Sequence, residues 1–294
     1  EMWEQNQQSR RSSDLKVSEA ADCVWLMMEQ ATRPGGEEER KGYENLHGLP
    51  MGKDNVKVVY SKKGVPSVTL QFGEEKVVIK DNKAKGEIIR RVENNIDLMD
   101  STYWLKSYGA STLEDRHIVE VEDGVRLQFM GKETVWHDHL IRNPDLARAL
   151  LERKRTAKER GGRLFDTKSG VVYNYVKKLD GGEFTPKDLR TMKGTSEAIR
   201  LINEMGDCCD SVQDYKTAVM MVGEEVSKLL GNKPAQALES YIAPQVFSVW
   251  RDPGLEQGSP GKSLFQWSIK SLKPPHVKES YFATCEREKP GSKH

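Results

Sequence analysis

The sequence predicts an α+β fold, mainly helical, in which a small N-terminal helix and β region precede a helical region with a three-stranded antiparallel sheet at its edge. Two patterns predict it. Short runs of alternating apolar residues, bounded by Gly and Asp, fall at 56–80 and 117–140, and apolar residues at helical spacing fill most of the rest, with Pro at helix starts and Gly at helix ends.

Residues 1–50 are expected to be a polar N-terminal segment with one helix. Gln5 to Ser13 is too polar to pack, whereas Ala21, Val24, Trp25 and Met28 mark a docking helix from Ser18 to Ala31, stopped by Thr32-Arg33-Pro34-Gly35-Gly36. Residues 51–85 read as a small antiparallel sheet: Val56, Val58 and Tyr60, a Lys-Lys-Gly turn, Val68, Leu70 and Phe72, a turn at Gly73, then Val77 to Ile79.

Residues 86–250 form the main region. Gly86 to Asp100 is expected to be a helix with Ile88, Ile89, Val92 and Ile96 on its apolar side and Arg90 and Arg91 beside them. A meander follows from His117 to Leu140, with Asp123-Gly124 turning the first pair of strands and Gly131-Lys132 the second, so Lys132 sits at a hairpin tip. His137 and His139 alternate with Asp138; they suit a paired-histidine strand better than a metal site, because no further ligands accompany them. Asn143-Pro144-Asp145 opens a helix to about Arg160, with Leu146, Ala149 and Leu150 inward and the basic cluster Arg153, Lys154, Arg155, Lys158, Arg160 and Arg163 outward, serving either as a solvated face or as phosphate contacts.

A short helix around Val171 to Leu179 leads to two helix starts. In Phe184-Thr185-Pro186-Lys187-Asp188-Leu189-Arg190-Thr191, Thr185 suits the N-cap and Pro186 the first helical position, and Phe184 and Leu189 have the spacing of a hydrophobic staple. Lys187 and Arg190 then share one helix face near the positive end, which suits an anion. Asp207 to Asp210 should break this helix, with Cys208-Cys209 in the loop. Val212, Tyr215, Val219, Val222, Val226 and Leu229 line a core-facing helix that ends at Gly231, the chain turns through Asn232 and Lys233, and Pro234 opens a helix carrying Tyr241 about two turns in. Residues 251–294 are a Pro- and Gly-rich extension with scattered aromatics, Phe265, Trp267, Tyr281 and Phe282, expected to order on a partner.

Bulk properties narrow the function. The 294 residues can bury a real core, and with 36% hydrophobic and 31% charged residues much surface should be exposed. A formal net charge of +1 requires any nucleic-acid-binding charge to be concentrated locally. Cys23, Cys208, Cys209 and Cys285 show neither metal spacing nor a disulfide framework, which suits a reducing cytoplasm. No apolar run approaches a membrane span. The start at Glu1 instead of methionine is what a fragment or processed product would show.

Lys187-Asp188-Leu189-Arg190-Thr191, followed by Leu230-Gly231-Asn232-Lys233-Pro234 and Tyr241, resembles the catalytic core of type IB DNA topoisomerases. Gly109-Ala110-Ser111-Thr112-Leu113-Glu114-Asp115-Arg116-His117-Ile118, leading to Val125 through Lys132, is similar to the family's stretch before its catalytic lysine. The resemblance implies a DNA topoisomerase that needs neither metal nor nucleotide cofactor, with Tyr241 as nucleophile forming a 3′-phosphotyrosyl bond. Arg190, with Arg91 or Arg90, would stabilise the charge on the phosphate, and Lys132 and Lys187 would donate protons. The family's first arginine corresponds in position to Asn95, so Arg91 fills the role only if residues are inserted after it. Asn232 stands where many relatives have histidine; it is either a hydrogen-bond donor to the phosphate or a turn residue. The partner implied is double-stranded DNA, with Arg153, Lys154, Arg155 and Lys158 along its backbone, no membrane, no small-molecule substrate and a monomeric protein, cytoplasmic in a prokaryotic or viral setting. Two alternatives stand beside this: a tyrosine site-specific recombinase, and a non-catalytic DNA-binding or structural module with a degenerate core.

Overall fold

The computed structural model describes residues 1–35, 38–39, 43–132, 135–182, 184–206 and 211–250. Asp207 to Asp210, including Cys208-Cys209, and the extension from 251 with Phe265, Trp267, Tyr281, Phe282 and Cys285 lie outside the described residues. The chain forms two compact units, Glu1–Pro186 and the part from Lys187 onward.

The first unit opens with α1 (Met2–Ser9) and α2 (Leu15–Gln30). The expectation that Gln5 to Ser13 cannot pack is corrected: Gln5 to Ser9 belong to α1. Asn6 is fully buried, donating from Nδ2 to the Ala21 carbonyl at 3.2 Å and accepting from the Tyr175 hydroxyl at 2.9 Å. Arg10 lies 3.5 Å from the centroid of the Trp25 ring and pairs with Asp22 at 2.6 Å. A polar helix can dock when its buried groups are hydrogen-bonded and its long side chains cover apolar surface, and both conditions hold here. Asp14 caps α2 by accepting from the Lys16 amide, and Ala31, at φ 52°, ends it.

Strands β2 (Val56–Tyr60), β3 (Pro66–Phe72) and β4 (Glu75–Ile79) follow the short β1 (Glu38–Glu39) and form a three-stranded antiparallel sheet in sequence order. Val68, Leu70, Val77 and Ile79 occupy its buried face, as the period-2 pattern requires, and cluster with Ile88, Tyr103, Trp104 and Trp136. Helix α3 spans Asn82–Glu93, so the expected helix from Gly86 to Asp100 is displaced. Asp81 supplies an earlier start by capping the Ala84 amide at 2.9 Å. Asn95 and Met99 take left-handed conformations, φ 55° and 64°, which stop the helix before α4 (Ser101–Leu105) and leave Ile96 outside it.

After β5 (Lys106–Ser107), strands β6 (Ile118–Val121), β7 (Gly124–Gly131) and β8 (Val135–Ile141) form a second three-stranded antiparallel sheet in sequence order. The β7–β8 register pairs Gly131 with Val135 and puts Lys132 in the connecting turn, exposed. His137 stacks on Phe129 with centroids 4.5 Å apart, and its Nδ1 meets Nε2 of His139 at 3.0 Å.

Helix α5 (Pro144–Thr156) is capped by Asn143 and buries Leu146 and Leu150. The outward orientation expected for the whole basic cluster does not hold. Arg153 turns inward: it pairs with Glu19 at 2.9 Å and with Asp22, and stacks over Phe165 at 4.7 Å. Lys154 Nζ donates to the Ile118 carbonyl at 2.7 Å, Arg160 donates to the carbonyls of Arg153 and Arg163, and Arg163 to those of Ser111 and Thr167. Arg155 and Lys158 are exposed. Helix α6 (Ser169–Val176) completes the unit, packing on α2.

The second unit contains α7 (Pro186–Met205), α8 (Val212–Leu230), α9 (Pro234–Ser240) and a 3-10 segment, Pro244–Trp250. The buried face of α8 comprises Ala218, Val222, Val226 and Leu230, so it is rotated from the expected line: Val212, Tyr215, Val219 and Leu229 are half-buried. Gly231 ends α8 at φ 61°, a conformation that costs glycine little and other residues more. Helix α9 stops one residue short of Tyr241, which takes the C-cap position at φ −136°, ψ 0° with its amide bonded to the Ala237 carbonyl at 3.0 Å. Tyr241 therefore closes the helix it was expected to ride on. Among the described residues no helix is long and apolar enough to cross a membrane.

Candidate active site

The first turns of α7 organise the site in the second unit. Lys187 and Arg190, three residues apart, occupy the same side of the helix. Lys187 is exposed and Arg190 is 3% exposed. A buried guanidinium needs acceptors. Arg190 Nη2 donates to the Leu230 carbonyl at 2.9 Å and to Oδ1 of Asn232 at 3.5 Å. The Leu230 carbonyl is one of the last of α8, a group without a helical partner at the negative end of that helix, so a cation there meets both a hydrogen-bonding need and a favourable field. Asn232 is a turn residue, with its amide bonded to the Ser227 carbonyl at 3.0 Å, and its side chain also contacts Arg190.

Tyr241 is half-buried beside these cations. The Arg190 guanidinium lies 4.9 Å, and Lys187 Nζ 6.0 Å, from the centroid of its ring. Both distances are within the range in which a cation is attracted to an aromatic face. One side of α7 thus presents two cations to one phenol, an arrangement able to hold an oxyanion next to a nucleophile.

The other site candidates belong to the first unit. Lys132 is in the β7–β8 turn. Arg91 is buried and committed: its Nε pairs with Glu87 at 2.7 Å and its Nη1 donates to the Asp97 carbonyl at 2.8 Å. Arg90 pairs with the same carboxylate at 2.7 Å but is half-exposed. Burial raises the Glu87 pKa, yet the hydrogen bonds from Arg90 and Arg91 outweigh it and hold the carboxyl below the ordinary glutamate range. Among the described residues no group of three or more His, Cys, Asp or Glu could hold a metal.

Residues 101–243 match the family described as eukaryotic DNA topoisomerase I, catalytic core. The match supports a type IB topoisomerase core in this stretch. No curated protein matches the chain. The matched stretch includes Lys132, Lys187, Arg190, Asn232 and Tyr241, together with the basic residues from Arg153 to Lys158; Arg91 lies before it. Its mainly helical α+β fold, with the β6–β8 sheet, is the one expected, and the family acts on DNA.

Sequence reasoning missed Gly194 and Thr195. The main chain of Tyr241 lies against α7 at this point, where a Cβ on Gly194 would come 2.6 Å from the Tyr241 carbonyl oxygen. A glycine inside a long helix is itself a signal, since it costs about 1 kcal/mol relative to alanine and so points to a close approach.

Proposed function

We propose that this chain is a type IB topoisomerase-like enzyme that cleaves and rejoins one strand of duplex DNA through Tyr241. The observation that carries the reading is the arrangement of Arg190 and Lys187 over the Tyr241 ring within a type IB topoisomerase core. In the proposed reaction the Tyr241 oxygen attacks a backbone phosphorus and loses its proton. The P–O bond to the 5′ oxygen breaks, and that oxygen leaves as a hydroxyl after taking a proton. The product is a 3′-phosphotyrosyl bond, and the reverse step rejoins the strand.

Arg190 meets the negative charge that gathers on the non-bridging oxygens, because a guanidinium stays charged at any working pH and presents a fork matched to phosphate. Asn232 orients that arginine. Lys132 and Lys187, which resemble the family's proton donors, supply the leaving oxygen. The scheme uses no metal, because cationic side chains meet the charge, and no nucleotide, because the covalent bond conserves the energy for rejoining. We read the protein as a monomer and place phosphate contacts at Arg155 and Lys158, whose side chains are exposed.

The test is relaxation of negatively and positively supercoiled plasmids in chelator without ATP, beside Tyr241→Phe. Relaxation of both signs by the intact protein alone is expected; relaxation that survives in Tyr241→Phe would sink the assignment of the nucleophile.

A second reading, a DNA-binding module with a degenerate core, is favoured by one observation. Arg91 is bound to Glu87 and the Asp97 carbonyl. Salt-sensitive DNA binding without a tyrosine-linked adduct would support it.

A further inference from the structure

The main chain on either side of Tyr241 is seated on α7, one turn beyond Arg190. Gly194 leaves room for the Tyr241 carbonyl where a Cβ would come 2.6 Å from its oxygen. The next residue closes the contact. Thr195 Oγ1 accepts from the Ala243 amide at 3.1 Å and donates to the Tyr241 carbonyl at 3.5 Å. Further on, Trp250 Nε1 donates to the Gly206 carbonyl at 2.8 Å, which fixes the segment after Tyr241 to the far end of the same helix.

The chemistry of this seat is specific. At the end of α9 the chain exposes a carbonyl and, two residues later, an amide, both beyond the helix's own ladder. A threonine hydroxyl is donor and acceptor at once and can serve both. Lys187, Arg190 and Gly194 follow one another along one side of α7 at spacings of three and four residues, so the cations and the seat share one rigid element.

We propose that Gly194 and Thr195 form a positioning seat that locks the Tyr241 main chain to α7, so that the phenol and the Arg190 guanidinium keep one fixed geometry. The proposal rests on the reading of Tyr241 as the nucleophile. Reacting groups must be held close to attack geometry, and a small misplacement from a change away from the chemistry costs a large factor in rate.

Thr195→Val keeps the shape and removes the hydroxyl; Thr195→Ser keeps the hydroxyl. Two readouts are needed: amide hydrogen exchange at Ile242 and Ala243 in the DNA-free protein, and single-turnover formation of the Tyr241 adduct on a nicked duplex oligonucleotide at saturating DNA. In Thr195→Val exchange should quicken about fivefold, as expected for one lost hydrogen bond. Adduct formation should slow about tenfold to hundredfold with duplex affinity unchanged, and Thr195→Ser should restore both.

Unchanged exchange in Thr195→Val would overturn the seat, as would faster exchange with an unaltered rate of adduct formation. A wild-type protein that forms no adduct would instead overturn the nucleophile reading, and the exchange measurement would then decide by itself whether Thr195 holds the segment.

Discussion

The Arg190 guanidinium lies 4.9 Å from the centroid of the Tyr241 ring while its Nη2 is bonded to the Leu230 carbonyl at 2.9 Å, so the end of one helix orients a cation onto a residue that closes another. Arg190→Lys should therefore fail almost as badly as Arg190→Ala. A lysine is a point charge that cannot bond Leu230 and a phosphate in a fixed fork. Both variants should slow single-turnover strand cleavage by about 10²–10³-fold. Cleavage by Arg190→Lys at the wild-type rate would show that charge alone suffices.

Lys132→Ala should slow cleavage by about 10²–10⁴-fold if the lysine protonates the leaving oxygen. Substrates in which sulfur replaces the bridging 5′ oxygen carry a leaving group that needs no proton, and with them most of the loss should disappear. An equal loss on both substrates would assign Lys132 to binding.

The basic helix α5 should divide by mutation. Arg153→Ala takes the arginine from Glu19 and leaves Asp22 with Arg10 alone, and should lower unfolding stability by about 2–3 kcal/mol, somewhat less than for a fully buried pair, because these side chains keep some contact with water. Arg155→Ala and Lys158→Ala should leave the melting temperature unchanged and each reduce the slope of log affinity against log salt by about one. Thermal melts and duplex titrations across a salt series check both halves.

Glu87 gives a pH prediction with a definite sign. Burial raises its pKa, but the hydrogen bonds from Arg90 and Arg91 win and lower it in the folded state. A group with a depressed folded pKa contributes stability that is fully present above its unfolded value, about 4.3, and is lost as pH falls through the folded value. The stability gap between wild type and Glu87→Gln should be constant from neutral pH down to about 5 and close below it. A gap that persists unchanged into strong acid would show that the ionised carboxylate contributes nothing.

The β2–β4 and β6–β8 sheets were legible because alternation and turn residues are local signals. The turn at Lys132, the start of α7 at Pro186 and the end of α8 at Gly231 were legible for the same reason: caps and turns depend on the residues beside them. Arg153 and Arg155 illustrate the opposite case. They are two positions apart on one basic helix, and only the acidic residues of α2, more than a hundred positions earlier, distinguish the inward side chain from the outward one. Asn6 could not be placed from sequence either, since its partners come from α2 and α6.

The sequence by itself determined the two three-stranded sheets, the order of the helices from α5 onward, the residue types available for phosphate chemistry and their spacing along the chain, because these follow from local backbone preference and composition. Tertiary structure decided which of those residues meet. Tyr241 and Arg190 are far apart in sequence, and their contact depends on how α9 ends, on the Leu230 carbonyl and on a glycine that lets two backbones touch, all of which are set by packing between elements and not by the residues next to either one.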